Sequence, residues 1–303
     1  MRLLKIIPIM FAGLLLVACG GDDDDSSTDN KVALSSKNAA EVAGEIVGAA
    51  DTDFSFVAFT KQQIALLERL ESQMITSPTL ATGAVIAEEK LPCDKKGTFD
   101  YSINDTDNNN KLSKGDIFTI TFHNCVDNSG ERIDGQMSIT ILEGKPNWSM
   151  KFVMTNLTVT DSAGPSTING DFTMGITTQT TANGTIESIS MTATSLTITE
   201  SGTTLSNYSF KATENSNSLL VKWKQNGTFE SSQLNDTVSF VTLQPFEELK
   251  TDSFPYAGVM KITGHNNSSV KLIVLDAATV RLEVDENGDG AVDNTLDVAW
   301  TSL

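Results

Sequence analysis

Apolar and polar residues alternate along most of the chain beyond Gly97. Phe99, Tyr101 and Ile103 occupy every second position, as do Phe118, Ile120 and Phe122. The same period of two recurs at Met137, Ile139 and Ile141, at Trp148, Met150, Phe152 and Met154, and at Phe172, Met174 and Ile176. It continues through Ile189, Met191 and Ala193, then Leu219, Val221 and Trp223, then Met260 and Ile262, Leu272 and Val274, and Val280, Leu282 and Val284. Thr, Ser, Asn and Lys fill most intervening positions, so each run reads as a strand with one apolar and one wet face. Ala182-Asn183-Gly184 and Gln225-Asn226-Gly227 read as hairpin turns, because Asn-Gly accepts the positive φ such turns need. The pattern predicts a mainly β protein: a long antiparallel meander over residues 79–303, forming a curved sheet, half-barrel or sandwich.

Upstream of the strands the period changes. Ala40, Ala43, Ile46, Val47 and Ala50 fall near a 3.6-residue spacing, and Ile64, Leu67, Leu70, Glu71 and Met74 resume it after Asp51-Thr52-Asp53. With Pro78 as a stop, this predicts two short helices within residues 37–78, packed on the sheet to hide its apolar face. Alternation also fits a membrane-spanning barrel with a polar lumen. Aromatic residues make up only 7% of the chain, thin for two interfacial girdles, and favour a sheet outside the bilayer.

The first residues carry a different signal. Arg2 and Lys5 precede an apolar run from Ile6 to Ala18, too short for a permanent membrane helix but suited to a secretory leader. Leu16-Val17-Ala18-Cys19-Gly20 resembles a bacterial lipobox, which implies removal of residues 1–18 and acylation of Cys19 with chains such as palmitate. Gly20, where an Asp would signal inner-membrane retention in such lipoproteins, points by the same resemblance to the outer membrane. Residues 19–36, rich in Asp, Ser, Gly and Asn, read as a disordered tether. The formal charge is −18 before the two leader cations are removed, a surface that repels nucleic acid and attracts divalent cations. Of three cysteines, Cys19 is assigned to lipid, and an exported location favours a disulfide between Cys93 and Cys125.

Two acidic loops carry candidate chemistry. In Asp105-Thr106-Asp107-Asn108-Asn109-Asn110-Lys111-Leu112-Ser113-Lys114-Gly115-Asp116, oxygen side chains fall at loop positions 1, 3, 5, 9 and 12. This is the ligand spacing of an EF-hand-type calcium loop. Asp105, Asp107 and Asn109 would ligate by side chain, Lys111 through its carbonyl, Ser113 directly or through water, and Asp116 would close the shell. Strands flank the loop, Asn110 replaces the usual glycine, and Asp116 replaces the long bidentate Glu. The alternative is a polar hairpin loop rich in turn formers. The second loop, Asp285-Glu286-Asn287-Gly288-Asp289-Gly290-Ala291-Val292-Asp293, has oxygens at positions 1, 3, 5 and 9 and glycine where the sharp turn falls. Asp285, Asn287, Asp289 and Asp293 would ligate, with the Ala291 carbonyl, and Asp297 could assist. It resembles the Asp-x-Asn-x-Asp-Gly-x-x-Asp loops of extracellular calcium modules. Pairing Asn104 with Ile117 would place the first loop and the Cys93–Cys125 bond at opposite ends of one hairpin.

Catalytic patterns are sparse. His123 and His265, the two histidines, stand far apart in sequence and read as surface or turn residues. Trp148, Trp223 and Trp300 lie in alternating runs and read as core. Cys93, Asp105 to Asp116, Phe122-His123-Asn124-Cys125, Pro255-Tyr256-Ala257-Gly258, Ile262-Thr263-Gly264 and Asp285 to Trp300 together resemble a group of β-rich proteobacterial envelope lipoproteins. The resemblance implies a calcium-stabilised sheet and no reaction. The expected function is a non-enzymatic binding module for a protein or glycan. The alternative is a periplasmic carrier, its Met-rich face cupping a lipid or other apolar ligand.

Overall fold

Alternation at period two builds strands, and the short turns between them bring each strand beside its predecessor. The computed structural model describes residues 32–76, 86–109, 111–126, 130–160, 164–199, 202–231 and 236–303. Among these, fourteen strands form one antiparallel sheet in strict sequence order. They are β1 (Ile86–Pro92), β2 (Lys96–Asn104), β3 (Ile117–Val126), β4 (Arg132–Glu143), β5 (Trp148–Thr160), β6 (Pro165–Thr181) and β7 (Gly184–Ile198). The series continues with β8 (Thr203–Asn215), β9 (Leu220–Ser231), β10 (Asp236–Leu249), β11 (Ala257–Thr263), β12 (Ser269–Val274), β13 (Thr279–Asp285) and β14 (Asn294–Ala299). The sheet curves but does not close, so β1 and β14 are its edges. The mainly β meander expected from the alternation is therefore observed. Of the alternatives for its shape, it is a single open curved sheet. The leader, Cys19 and Pro78 lie outside the described residues.

Bulges interrupt the pleat along a line across the sheet. Asn124, Asn156 and Asn207 adopt positive φ of 51°, 49° and 47° within β3, β5 and β8. Asn tolerates this left-handed conformation better than most residues. Opposite Asn156 stands Gly135, where a Cβ would lie 2.1 Å from the Asn156 carbonyl oxygen, so the crossing requires glycine. Each such bulge bends its strand and resets the alternation: Met154 and Leu157, three apart, are both buried. Gln225-Asn226-Gly227 belongs to this line. The expected turn there is not formed, and the three residues lie inside β9. Gly227 lets β9 approach β8 closely, with its Cβ position 3.1 Å from Tyr208 Cα, while Gln225 turns inward.

One helix, α1 (Ala39–Thr76), covers the concave face. The break expected at Asp51-Thr52-Asp53 does not occur. Asp and Thr cost a helix interior only about 0.7 kcal/mol each relative to Ala, and neither Gly nor Pro stands between Ala49 and Thr76. Burial of Val42, Ala43, Ile46, Phe56, Val57 and Leu67 against the sheet outweighs that cost. The helix crosses the strands from one side of the sheet to the other. The Ile46 carbonyl accepts from Gln225 Nε2 of β9 at 2.9 Å. The Phe56 ring lies 5.1 Å from that of Phe172 on β6, and Phe59 lies 6.1 Å from Phe152 on β5. Lys61 pairs with Glu187 on β7. Met137, Met150, Met154, Met174, Met191 and Met260 are all buried, as are Trp148, Trp223 and Trp300.

The end of the expected tether is also part of the fold. Leu34 is buried, its N–H donates to Ser268 Oγ at 2.9 Å, and the Val32 carbonyl accepts from His265 N–H at 2.8 Å. Residues 32–36 thus lie against the loop between β11 and β12 instead of extending freely. At the opposite edge, Cys93 in the β1–β2 turn is disulfide-bonded to Cys125 of β3, with Cα atoms 5.4 Å apart. Asn104 pairs with Ile117, so the disulfide and the first acidic loop stand at opposite ends of the β2–β3 hairpin. No described helix is long and apolar enough to cross a membrane.

Candidate metal centre

The β2–β3 loop converges on Asp116, which stands just before β3 and is only 1% exposed. Its Oδ1 accepts from Thr106 N–H at 2.9 Å and Thr106 Oγ1 at 3.1 Å, and its Oδ2 from Ser113 N–H at 2.8 Å and Ser113 Oγ at 3.2 Å. A buried carboxylate needs such donors. Asp107 accepts from Ser113 Oγ at 2.9 Å and Asn109 Nδ2 at 2.7 Å, and Asp105 Oδ1 from Asn109 N–H at 3.3 Å. The Ser113 hydroxyl is the main cause holding the Asp107 carboxyl below the usual carboxylate range.

One ligand atom each from Asp105, Asp107 and Asp116 falls within 4.8 Å of the others, the one such grouping of acidic, His or Cys side chains among the described residues. Three carboxylates and the Ser113 hydroxyl make a donor set suited to a hard divalent cation. Asn109 is engaged within the loop: its Oδ1 accepts from Lys111 N–H at 2.7 Å.

The β13–β14 loop uses its acids differently. Asp285 accepts from the N–H of Gly288 at 2.7 Å and of Gly290 at 2.9 Å, Asn287 from Asp289 N–H at 2.8 Å, and Asp289 from Ala291 N–H at 2.8 Å. Asp293 accepts from Glu286 N–H at 2.8 Å. Gly290 has φ of +88°, as the expected sharp turn requires. These carboxylates are not gathered as those of the first loop are.

Asp297, expected to assist the loop, is engaged with a neighbouring strand. Register pairs it with Arg281 on β13, whose guanidinium donates through Nε at 2.7 Å and Nη2 at 2.9 Å. That fork holds the Asp297 carboxyl below its usual range and raises Arg281. The sequence pattern was stronger in the second loop, whereas the carboxylates gather in the first.

Both loops reach the helical cover, through residues that carry no motif. Glu286 Oε1 accepts from Ser36 N–H at 2.8 Å, just before α1, and that bond is the first cause of its lowered carboxyl pKa. At the other end of α1, Glu71 accepts from Leu112 N–H at 3.1 Å in the first loop and pairs with Lys145 at 3.2 Å. Glu68 joins Lys145 at 3.4 Å. Each acidic loop therefore fastens one end of the helix. His123 stands at the surface against Asp100 at 2.7 Å, and His265 lies in the β11–β12 turn. Comparisons with protein families, with curated proteins and with solved structures find no match for this chain.

Proposed function

We propose that this protein is a lipid-anchored envelope protein, tethered at the bacterial outer membrane through acylated Cys19, that acts as a non-enzymatic binding module stabilised by calcium at its hairpin tips. The observation that carries the reading is the filled trough. α1 occupies the concave face with Val42, Ala43, Ile46, Phe56 and Leu67, leaving polar strand faces and loops to meet a protein or glycan. The leader, the lipobox-like Leu16-Val17-Ala18-Cys19-Gly20 and the resemblance to proteobacterial envelope lipoproteins support the address. Native mass spectrometry of the protein extracted in mild detergent tests the reading. An acylated chain free of other lipid is expected, and a stoichiometric co-purifying lipid would overturn it.

Calcium enters as a stabilising ligand. Extracellular calcium sites commonly bind at ~10⁻⁴ to 10⁻³ M, so ~5 mM calcium should add about 1–2 kcal/mol over a chelator-treated sample. Asp107→Asn should remove most of the gain belonging to the first loop, since Asp107 is exposed and its internal bonds are few. Asp285→Ala should destabilise by about 1–3 kcal/mol with or without calcium, because two backbone N–H groups lose their acceptor. Identical melting midpoints in calcium and chelator would remove calcium from the proposal.

A carrier of a lipid or other apolar ligand is the second reading. Buried polar atoms in the core, Thr60 Oγ1 on α1 and Trp223 Nε1 on β9, have no hydrogen-bond partner, a pattern that favours a cover able to lift. Co-purified lipid is the outcome that would select it.

A further inference from the structure

The N-terminal half of α1 carries a carboxylate where a helix packed on a sheet has least use for one. Glu45 is 9% exposed, and its neighbours Val42, Ala43 and Ile46 are fully buried. Neither carboxylate oxygen has a hydrogen-bond partner. On α1 itself the charged group facing it is Glu41, one turn earlier and of the same sign. From β9, the Ser231 hydroxyl stands beside it and favours the ionised form, but short of good hydrogen-bond geometry. Gln225, further along β9, is engaged with the Ile46 carbonyl at 2.9 Å and Tyr208 Oη at 2.9 Å. Leu303 packs against Gly44 next to it and brings no cation.

We propose that Glu45 makes the docking of α1 on the sheet dependent on acid: with the carboxyl protonated the N-terminal half of the helix seats on β9, and with the carboxylate formed it loosens. An ionised carboxylate excluded from water, with another carboxylate as the neighbouring charge and one hydroxyl as its sole polar relief, is strongly disfavoured. The neutral acid is tolerated at far lower cost. Burial, more than Glu41, raises the Glu45 carboxyl above its ordinary range.

The direction of the effect follows from linkage. Below the ordinary carboxyl pKa the group is protonated whether α1 is docked or not, and docking is at full strength. As pH rises through the raised value of the docked state, that state must surrender its proton against burial, and docking weakens. Other acids run the opposite way. Asp107, Glu286 and Asp297, held below their usual range, stabilise the fold above the ordinary carboxyl pKa and lose that contribution as pH falls. Only a comparison with a Glu45 variant isolates the switch.

The proposal rests on neither calcium nor the lipid anchor, so the test is made on the full chain in the presence of a chelator. Hydrogen exchange by mass spectrometry is followed over peptides from residues 39–60 between about pH 5 and 8, corrected for the intrinsic exchange rate. In the parent protein the open fraction of these peptides should rise about tenfold for each pKa unit by which docking raises Glu45. In Glu45→Gln it should stay flat, at the level the parent shows in acid, and Glu45→Leu should behave alike. Parallel pH profiles in parent and variants would overturn the proposal. So would an equal pH response in peptides of β12 and β13, which would mark global unfolding. Failure of Glu45→Gln to fold would also count against it, because a neutral side chain of the same shape should seat at least as well.

Discussion

Phe172→Ala should lower the stability of the fold by about 3–5 kcal/mol, among the largest losses expected from a single side chain. Phe172 is fully buried on β6, stacked on Phe152 of β5 with centroids 4.7 Å apart, and tilted against Phe56 of α1 at 5.1 Å. Its register partner on β7 is Ala193, too small to move into the space left behind. The variant therefore leaves a cavity and removes the aromatic contact that seats α1 on the middle of the sheet. Urea titration read by circular dichroism measures the loss. For comparison, Val153→Ala on the outer face of β5, 37% exposed, should change stability by less than about 0.5 kcal/mol. A loss below about 1 kcal/mol for Phe172→Ala would mean that α1 is not docked over β5 and β6.

The second large effect is expected from the disulfide. Cys93 and Cys125 are separated by 32 residues, and closing a loop of that length restricts the unfolded chain by roughly 3–4 kcal/mol. The double variant Cys93→Ser, Cys125→Ser should lose about that much. The loss should be concentrated at the sheet edge, because the bond ties the β1–β2 turn across β2 to β3. In hydrogen exchange, β1 should open before β5 to β8. A denaturation midpoint unchanged by both substitutions, or by a reductant acting on the parent protein, would contradict this account.

How far the fold could be read from the chain varies with the element. Where alternation is unbroken, as at Phe118, Ile120 and Phe122, strand and facing were legible, whereas the register, with Asn104 opposite Ile117, is fixed by the loop that joins β2 to β3. The strands around β8 and β10 were not, because bulges change the count. Leu205 and Tyr208 both face inward across Asn207, three positions apart, and the β9–β10 register shifts between Val241 and Phe246. The Asn-Gly pair at 226–227 does not use the positive φ that it permits; Gly227 instead lets β9 pass close to Tyr208 at the bulge of β8.

In the candidate site, local ligand spacing identified Asp105, Asp107 and Asp116, which do converge. Asp297 pairs with Arg281, a partner set by the β13–β14 register and not by distance along the chain. The contacts of Glu71 and Glu286, and the burial of Glu45, gave no signal. What they touch, or fail to touch, is brought to them from 41 residues away for Glu71 and 250 for Glu286.

The arrangement of α1 has a consequence for the order in which the protein forms. The strands pair only with their chain neighbours, so the sheet can grow hairpin by hairpin as synthesis proceeds. The helix cannot follow that order. Its contacts span 179 residues to Gln225, while those of the segment leading into it span 234 to Ser268 and 250 to Glu286. The first described element of the chain must therefore wait for partners far along it. Until β5 to β9 exist, the apolar stripe of α1 lacks its partners, and the segment before the helix waits further, for the loops after β11 and β13. Chains truncated after β4 should accordingly bind a hydrophobic dye and engage holdase chaperones, and extension through β9 should reduce both.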